Sequence, residues 1–441
     1  MKIFVIGAGE VGTTIVQALH GAHELTIVDQ EAARIEEISA RYDVATIEGN
    51  GASRRTLAAA GVAGADLLIA CTARDETNIV SAMITKAVAP RTTTVVRTTN
   101  PEYLEVWHEG QLDVDFIVSS EVETAAAISQ TITVPAARHT DLFAEGQVQL
   151  VEFDVNESAS RSIVDVPLRD APLPADSKVA SILRGKEAIL PGGDAVIRAG
   201  DRVIVIGSPH AAQSWGELMV PGSGKVRDVV IFGAGAYGTA IARRLLEQGI
   251  GVRLIEASGP RARVVADDLP EARVYHSTGT DPDFLERERI GDAQVAIFAL
   301  RDDMQNHYAS TLAKVHGVTF TIAIVNEAVS VEVFERAGVD VTVNPRQVTA
   351  EEIVRFAHDP RTQQVSMLEG DRFEVLDITT RTGSEYVGLT FREMPIRGAL
   401  IGAIVRDGRA VFPRSDDVLR PGDRAIVFTE SSRVREVERA L

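Results

Sequence analysis

The chain has 441 residues, and at roughly 100 to 200 residues per domain this length predicts two to four domains. Its 45% hydrophobic and 24% charged residues exclude a disordered chain or a coiled-coil rod. The net charge of −18 argues against nucleic acid or an anionic lipid surface as the main partner.

Strands and helices alternate from the first residues onward. Apolar runs predict the strands and amphipathic segments predict the helices, in the chain order strand 3–6, helix 10–20, strand 25–28, helix 31–40, strand 44–47, helix 53–60 and strand 66–70. Such alternation predicts a parallel sheet with right-handed crossovers.

Three further features place the chain in the cytoplasm without a membrane anchor. No apolar run reaches the roughly 18 to 20 residues of a membrane helix. The first strand begins at once, which leaves no room for an export signal. The single cysteine, Cys71, excludes an internal disulfide, and its place at the end of an apolar run predicts a core residue.

The sequence repeats itself. The segment GAGEVG at 7–12 recurs 226 residues later as GAGAYG at 233–238. Between the copies lies a region of short alternating strands, whose Gly200-Asp201-Arg202 recurs as Gly422-Asp423-Arg424. The order is therefore A-B-A-B, with predicted domains 1–138 (A1), 139–222 (B1), 223–362 (A2) and 363–441 (B2). The predicted fold class is α/β, with two Rossmann-like, doubly wound parallel-sheet modules alternating with two small α+β modules.

The A1 module carries a dinucleotide-binding fingerprint. Gly7, Gly9 and Gly12 follow a strand and open a helix, and Asp29 comes 22 positions after Gly7. The glycines suit a tight turn, a close approach of pyrophosphate and close helix packing, and the helix N-terminus attracts the anion. A carboxylate at Asp29 suits a ribose diol and favours NAD(H) over NADP(H). The alternative is that these glycines only shape a turn in a fold that has lost its ligand.

The A2 module keeps the glycine loop and varies the rest. Its candidate ligand residues are Gly233, Gly235, Gly238 and Glu256. Ser277 replaces the first glycine of the Gly49-Asn50-Gly51 segment, and the strand 321–326 has no basic residue matching Arg97. The sequence therefore predicts that A2 binds an adenine nucleotide more weakly than A1.

The segments GAGEVG, LTIVDQ, GNGAS, ACTARDETN and VRTTNPEY resemble the RCK (KTN) modules that regulate potassium transport, and the tandem order extends the resemblance over the whole chain. The B modules resemble the companion RCK-C domain. The resemblance implies that cofactor-binding positions fall on Gly7, Ala8, Gly9, Glu10, Val11, Gly12, Asp29, Gly49, Asn50, Thr72, Ala73, Asn78 and Arg97. Alternatives remain for three basic or polar residues: a polar helix start for Asn78, a surface ion pair for Arg97, and solvation rather than an adenosine contact for Arg34.

The resemblance also implies a role and partners. It implies a homo-oligomer, a dimer or tetramer ring, that binds NAD(H) and ATP or ADP and gates an integral-membrane potassium-transporting subunit of the Trk type. It implies a cytoplasmic protein, peripheral on the inner face of the cell membrane through that partner. Direct membrane insertion and nucleic-acid binding are not expected.

Two other classes compete with a regulator. An NAD-dependent dehydrogenase with tandem Rossmann domains would need a general acid or base beside the cofactor, and the nine histidines are scattered without a matched carboxylate. Metal-ligand spacing is absent from the sequence as well. We therefore expect no catalytic residues and no metal site. The third class, a structural scaffold with vestigial folds, is disfavoured by the acidic residue of the fingerprint.

Overall fold

The computed structural model describes residues 1–134, 136–185, 187–222, 224–358, 361–368, 372–394 and 398–441. The chain divides into two compact units. Unit one contains Met1–Ala125, Ile324–Ser330 and Val343–His358, and unit two contains residues 126–323, 331–342 and 359–441. Unit one therefore joins most of the A1 module to two short segments of the second half of the chain.

The A1 module is built on a six-stranded parallel sheet. Its strands are β1 (Lys2–Ile6), β2 (Glu24–Asp29), β3 (Ala45–Glu48), β4 (Leu67–Ala70), β5 (Thr93–Thr98) and β6 (Phe116–Ser119). Its helices are α1 (Glu10–Leu19), α2 (Ala32–Arg41), α3 (Arg54–Ala60), α4 (Asp75–Val88), α5 (Glu102–His108) and α6 (Ser120–Thr133). The strand order is β3-β2-β1-β4-β5-β6, which reverses between β1 and β4. Ligands of such sheets bind at the carboxyl ends of the strands beside this reversal.

The B1 module is a five-stranded sheet in the order β10-β9-β11-β8-β7, with antiparallel pairing. Its elements are β7 (Ala137–Phe143), β8 (Val148–Asp154), β9 (Ser177–Arg184), β10 (Glu187–Ile189), β11 (Arg202–Gly207) and α7 (Pro209–Met219). The alternating strands of the sequence thus pair antiparallel as short hairpins would.

The A2 module repeats the A1 sheet in the order β14-β13-β12-β15-β16-β17. Its strands are β12 (Asp228–Phe232), β13 (Gly251–Glu256), β14 (Arg273–His276), β15 (Val295–Phe298), β16 (Thr321–Ile324) and β17 (Val341–Val343). Its helices are α8 (Ala236–Glu247), α9 (Gly259–Asp268), α10 (Pro282–Arg287), α11 (Asp303–Val315), α12 (Ala328–Arg336) and α13 (Pro345–Val354).

The B2 module repeats the B1 sheet in the order β18-β19-β22-β20-β21. Its elements are β18 (Thr362–Leu368), β19 (Phe373–Thr379), β20 (Ala399–Arg406), β21 (Arg409–Val411), β22 (Arg424–Glu430) and α14 (Val434–Ala440). Within unit two, the B1 and B2 sheets share one hydrophobic core, in which Phe143 and Ile204 lie with Phe373 and Phe428. The rings of Phe373 and Phe428 stack at 5.3 Å.

The predicted fold class is confirmed: two parallel Rossmann-like sheets alternate with two antiparallel sheets. Each predicted A1 strand and helix is present, with ends that differ by a residue. The bounds of the four domains stay predictions. One packing feature follows from no local pattern: in unit one, helix α13 packs on α1, and Phe356 packs on Phe116 with ring centroids 4.5 Å apart.

Candidate functional site

The A1 glycine loop connects β1 to α1 with a shape that requires two of its three glycines. Gly7 has φ +108°, in the left-handed region, and its amide donates to the Val28 carbonyl at 2.9 Å. A Cβ on Gly12 would lie 1.9 Å from the Gly7 carbonyl oxygen, so a side chain there would separate helix from loop. At Gly9 the nearest atom to such a Cβ is Nη1 of Arg34, 3.9 Å away. The open space beside Gly9 is where a pyrophosphate would approach.

Helix α1 presents its first turn to that space. Its N-cap residue is Gly9, which has no side chain to satisfy the first amides, and Glu10 is its first residue. Val11, the second residue of the helix, is buried in the core. Uncapped amides and the helix dipole give a helix end of this kind a positive potential that favours an anion.

Asp29 ties the loop to the end of β2. Its Oδ2 accepts from the Ala8 amide at 2.6 Å, and its Oδ1 accepts from the Glu31 amide at 2.9 Å. Each carboxylate oxygen can accept a second hydrogen bond, so the pair of oxygens remains able to receive a ribose diol. The Gly49 amide donates to the Asp29 carbonyl at 2.7 Å, which places the 49–51 segment beside the carboxylate.

The 49–51 segment is shaped for close packing over β1. Asn50 accepts from the Ala52 amide at 2.9 Å through its side chain and is itself exposed. A Cβ on Gly51 would lie 2.0 Å from Cγ2 of Ile6. The segment therefore lies on the end of the central strand, with Asn50 on its solvent side.

Asn78 positions the loop that follows β4. Its buried amide accepts from the Thr72 amide at 2.8 Å and from the Thr72 hydroxyl at 2.6 Å. It also donates to the carbonyls of Thr72 and Arg97, both at 3.0 Å. Since these bonds occupy the Asn78 amide, its role is to fix Thr72 and the exposed Ala73 beside the glycine loop.

Arg97 extends from the end of β5 toward the same loop. Its Nε donates to the Ser120 hydroxyl at 3.1 Å, and its Nη1 donates to the Thr72 carbonyl at 3.3 Å. No ion pair to Arg97 occurs within the described part of the chain. Its hydrogen bonds to neutral oxygens leave the guanidinium charge uncompensated by direct contact, which suits a residue facing phosphate.

Two buried ionisable groups lie near this site. Burial raises the pKa of the Glu121 carboxyl to about 7, against the opposing effect of the Arg97 charge. Burial raises the pKa of the Cys71 thiol to about 12, and its Sγ lies 3.8 Å from the Gly7 carbonyl oxygen. Cys71 is therefore a neutral core residue, as its sequence position predicts.

The A2 module reproduces the loop and its carboxylate. Gly233 has φ +99°, and a Cβ on Gly238 would lie 1.9 Å from the Gly233 carbonyl oxygen. No atom of the described chain lies within 4 Å of a Cβ placed on Gly235. The longer Glu256 side chain accepts from the Ala234 amide at 3.0 Å and from the Ser258 amide at 2.7 Å. Glu256 thus makes the bonds that Asp29 makes in A1.

The A2 site differs from A1 in its second loop. Leu300 stands where A1 has Thr72, and it is bound by Asn306 as Thr72 is bound by Asn78. The hydroxyl of Thr72 therefore has no equivalent at this position.

One residue of the A2 site is missing from the sequence prediction. Arg261 donates to the Ala234 carbonyl at 3.3 Å through Nη1, above the glycine loop. It corresponds to Arg34, since each arginine comes five positions after its module's carboxylate. This shared spacing is the sequence signal that could have extended the Arg34 prediction to Arg261. Arg34 itself is paired with Glu31 at 2.6 Å, so it is neither free nor remote from the site.

A second missed residue comes from the other half of the chain. Arg346, in the first turn of α13, forms an ion pair with Glu10. No local pattern in A1 could have indicated it, because the contact depends on how α13 packs in unit one.

Comparison with known proteins matches every module. The TrkA-N domain model matches residues 3–120 and 229–345, and the TrkA-C domain model matches residues 150–219 and 375–441. None of the helices in the described ranges has the length and apolar character needed to cross a membrane.

Similar full-length proteins and structures are known. The "Trk system potassium uptake protein TrkA homolog 1" of Methanosarcina mazei is 32% identical over 452 residues, covering 100% of this chain and 99% of that protein. The crystal structure of the GsuK RCK domain has a TM-score of 0.61 at 16% identity, covering 100% of this chain and 94% of that chain.

The GsuK channel bound to NAD has a TM-score of 0.60 at 16% identity, covering 100% of this chain and 79% of that chain. At this identity the two structures show a common fold. The matched domains cover more than half of the chain, and a relative at 32% identity spans all of it. The chain belongs to the TrkA family, whose members join TrkA-N and TrkA-C domains in tandem and are regulatory RCK proteins rather than enzymes.

Proposed function

We propose that this chain senses nucleotides and regulates potassium uptake through a membrane partner. The observation that carries the proposal is the A1 constellation: an uncapped helix N-terminus, open space at Gly9, and the Asp29 carboxylate bound to the loop at 2.6 Å. An anion-binding helix end and a diol-binding carboxylate at the strand-order reversal suit a dinucleotide. The A1 site binds NAD(H) through Gly7, Gly9, Gly12 and Asp29.

Four further residues complete this proposed site. Thr72 and Ala73 lie on the side of the second ribose, Arg97 faces phosphate, and Asn78 holds their loop in place. Adenine nucleotides compete for the same loop because they present phosphate to the same helix end. Structural likeness to the GsuK channel bound to NAD supports a fold able to hold this ligand.

The proposed partner is an integral-membrane potassium-transporting subunit of the Trk type. The relative in Methanosarcina mazei is named a Trk system potassium uptake protein. In this proposal the chain forms a homo-oligomer at the cytoplasmic face of the membrane and reaches the membrane through its partner. Ligands shift such an assembly only where they bind its conformations with different affinity.

The test of this function is potassium uptake in the source cell. Deleting the chain should slow uptake at low external potassium, and expressing the wild-type chain should restore it. Expressing Gly9→Asp at equal abundance should restore uptake without its dependence on NAD(H), because a carboxylate there occupies the pyrophosphate space. Unchanged uptake after deletion would refute the regulatory role.

A further inference from the structure

The ion pair between Arg346 and Glu10 joins the proposed nucleotide site to the second half of the chain. Glu10 is the first residue of α1, and Arg346 lies in the first turn of α13. The Arg346 Nη1 also donates to the Asn326 carbonyl at 3.1 Å. All three residues belong to unit one.

The backbone of Arg346 is held firmly, while its side chain stays accessible. The Asn344 side chain caps α13 by accepting from the Arg346 amide at 2.9 Å and the Gln347 amide at 3.3 Å. Farther along the helix, the buried Thr349 hydroxyl donates to the Ser120 hydroxyl at 2.9 Å. The side chains of Arg346 and Glu10 remain 41% and 40% exposed, so a ligand at the loop can meet both.

Glu10 creates an electrostatic problem for this site. Its carboxylate stands on the first residue of the helix whose N-terminus would receive the pyrophosphate. The negative charges of this carboxylate and of a pyrophosphate bound there would repel each other, and this repulsion is screened little at low salt. A cation paired with Glu10 removes the repulsion and leaves a partly exposed guanidinium able to attract phosphate.

We propose that Arg346 is a charge-compensating residue of the A1 nucleotide site, supplied by the second half of the chain. By neutralising Glu10 it permits the polyphosphate of NAD(H) or ATP to approach the glycine loop. The proposal rests on the proposed nucleotide binding and adds a residue to that site. Because binding free energies are reciprocal, nucleotide binding in A1 and docking of α13 then favour one another.

The A2 module provides an internal comparison. Ala236 stands in the A2 loop where A1 has Glu10, so A2 has no carboxylate at this position to neutralise. The need for a compensating arginine is therefore specific to A1.

The test measures NADH and ATP binding by titration calorimetry on the full chain carrying Gly235→Asp, which confines binding to A1. Three variants are tested: Arg346→Gln, Glu10→Gln and the double variant that combines them. The control is Arg41→Gln, which removes an exposed arginine paired with Glu37 on α2. Arg346→Gln should weaken binding roughly tenfold at low salt, and less at about 0.5 M salt. Glu10→Gln should tighten binding, the double variant should return close to the parent affinity, and Arg41→Gln should change nothing.

The opposite signs of the two single variants separate charge compensation from simple docking. If the pair served only to hold α13, both variants would break it and would change affinity in the same direction, which would overturn the proposal. An unchanged affinity in Arg346→Gln would overturn it too. Should Arg346→Gln misfold, Arg346→Lys keeps the charge and should retain most of the affinity, whereas a loss of roughly tenfold in Arg346→Lys would count against the proposal.

Failure of the underlying function has a different signature. If the Gly235→Asp parent binds neither NADH nor ATP, or if adding Gly9→Asp leaves its binding intact, the nucleotide site itself is wrongly assigned. If that parent binds and Gly9→Asp abolishes binding, the site stands and the Arg346 variants decide the inference alone.

Discussion

In the proposed site, Asp29 is the residue assigned to the ribose. Its two oxygens are already oriented by the Ala8 and Glu31 amides, so the carboxylate is preorganised before a ligand arrives. Removing it costs the hydrogen bonds to the diol and releases the loop from the end of β2. Asp29 thus fixes the geometry of the loop, and in the proposed function it also selects the ligand.

Substituting Asp29 with Ala should weaken NADH binding by about 1 to 3 kcal/mol, the cost of leaving the diol hydroxyls unmatched. Titration calorimetry on the purified chain measures this change. The matched control is Asp43→Ala, which removes an exposed aspartate from the same module. Unchanged NADH affinity in Asp29→Ala would contradict the assignment.

Glu121 is a residue whose charge is costly at neutral pH. Burial raises the pKa of its carboxyl from 4.5 to about 7, so folding favours the protonated form. The contribution of this group to stability is complete below its unfolded pKa near 4.5. It is lost as the pH rises through about 7, where the buried carboxyl must ionise.

The variant Glu121→Gln should therefore gain stability relative to the wild type as the pH rises. We expect little difference at pH 4.5 and a gain of about 1 to 3 kcal/mol at pH 8. Thermal unfolding of both proteins across this range measures the difference, with Glu109→Gln as an exposed control. A difference that does not change with pH would show that Glu121 does not titrate as described.

At the scale of elements, two strand-turn-helix units share one geometry and differ in their surroundings. Two arginines lie near the A1 glycine loop. Arg97 donates to the Thr72 carbonyl in the neighbouring loop, and Arg34 lies beside Gly9. The A2 loop keeps an arginine at Arg261, while Leu300 replaces Thr72. Both loops lead into a helix whose N-cap is a glycine without a side-chain cap, and A1 has more polar groups around its loop.

We predict that NAD(H) discrimination resides in A1 and that A2 binds an adenine nucleotide more weakly. Gly9→Asp and Gly235→Asp place a carboxylate into open space, so both variants should fold. Gly9→Asp should weaken NADH binding at least about tenfold, and Gly235→Asp should have a much smaller effect. Titration of NADH and ADP into each variant measures the two sites separately. If Gly235→Asp abolishes NADH binding while Gly9→Asp does not, the roles of the two modules are reversed.

At the scale of the whole molecule, the chain contains two copies of the A module and two copies of the B module. Within unit two, the B1 and B2 sheets bury a common core that includes Phe143 and Phe428. The B1 and B2 modules therefore bury each other's apolar faces within one chain. The apolar faces buried in this core are not available for contacts between chains.

The exposed apolar residues of α11 are available for such contacts. Met304, Tyr308 and Val315 are 81%, 57% and 77% exposed along one helix. We predict a homo-oligomer in solution, a dimer or a tetramer, because closed symmetric assembly is the ordinary arrangement of soluble oligomers. Light scattering coupled to gel filtration measures the mass, and Tyr308→Glu should lower it if α11 contributes. A monodisperse monomer at micromolar concentration would contradict this prediction.

The sequence alone determined the features that depend on local pattern. The four-module order, the sheets of A1 and the glycine loops follow from periodicity and from an exact spacing of glycine and carboxylate, so they are readable along the chain. The core position of Cys71 followed from its apolar run in the same way.

Tertiary structure decided which distant groups share the site. It fixed Asn78 as the residue that holds the Thr72 loop, raised the pKa of Glu121 by burial, and brought Arg346 to Glu10. Desolvation and contacts between distant segments depend on how elements pack together, as α13 packs on α1, and a local sequence pattern contains no information about that packing.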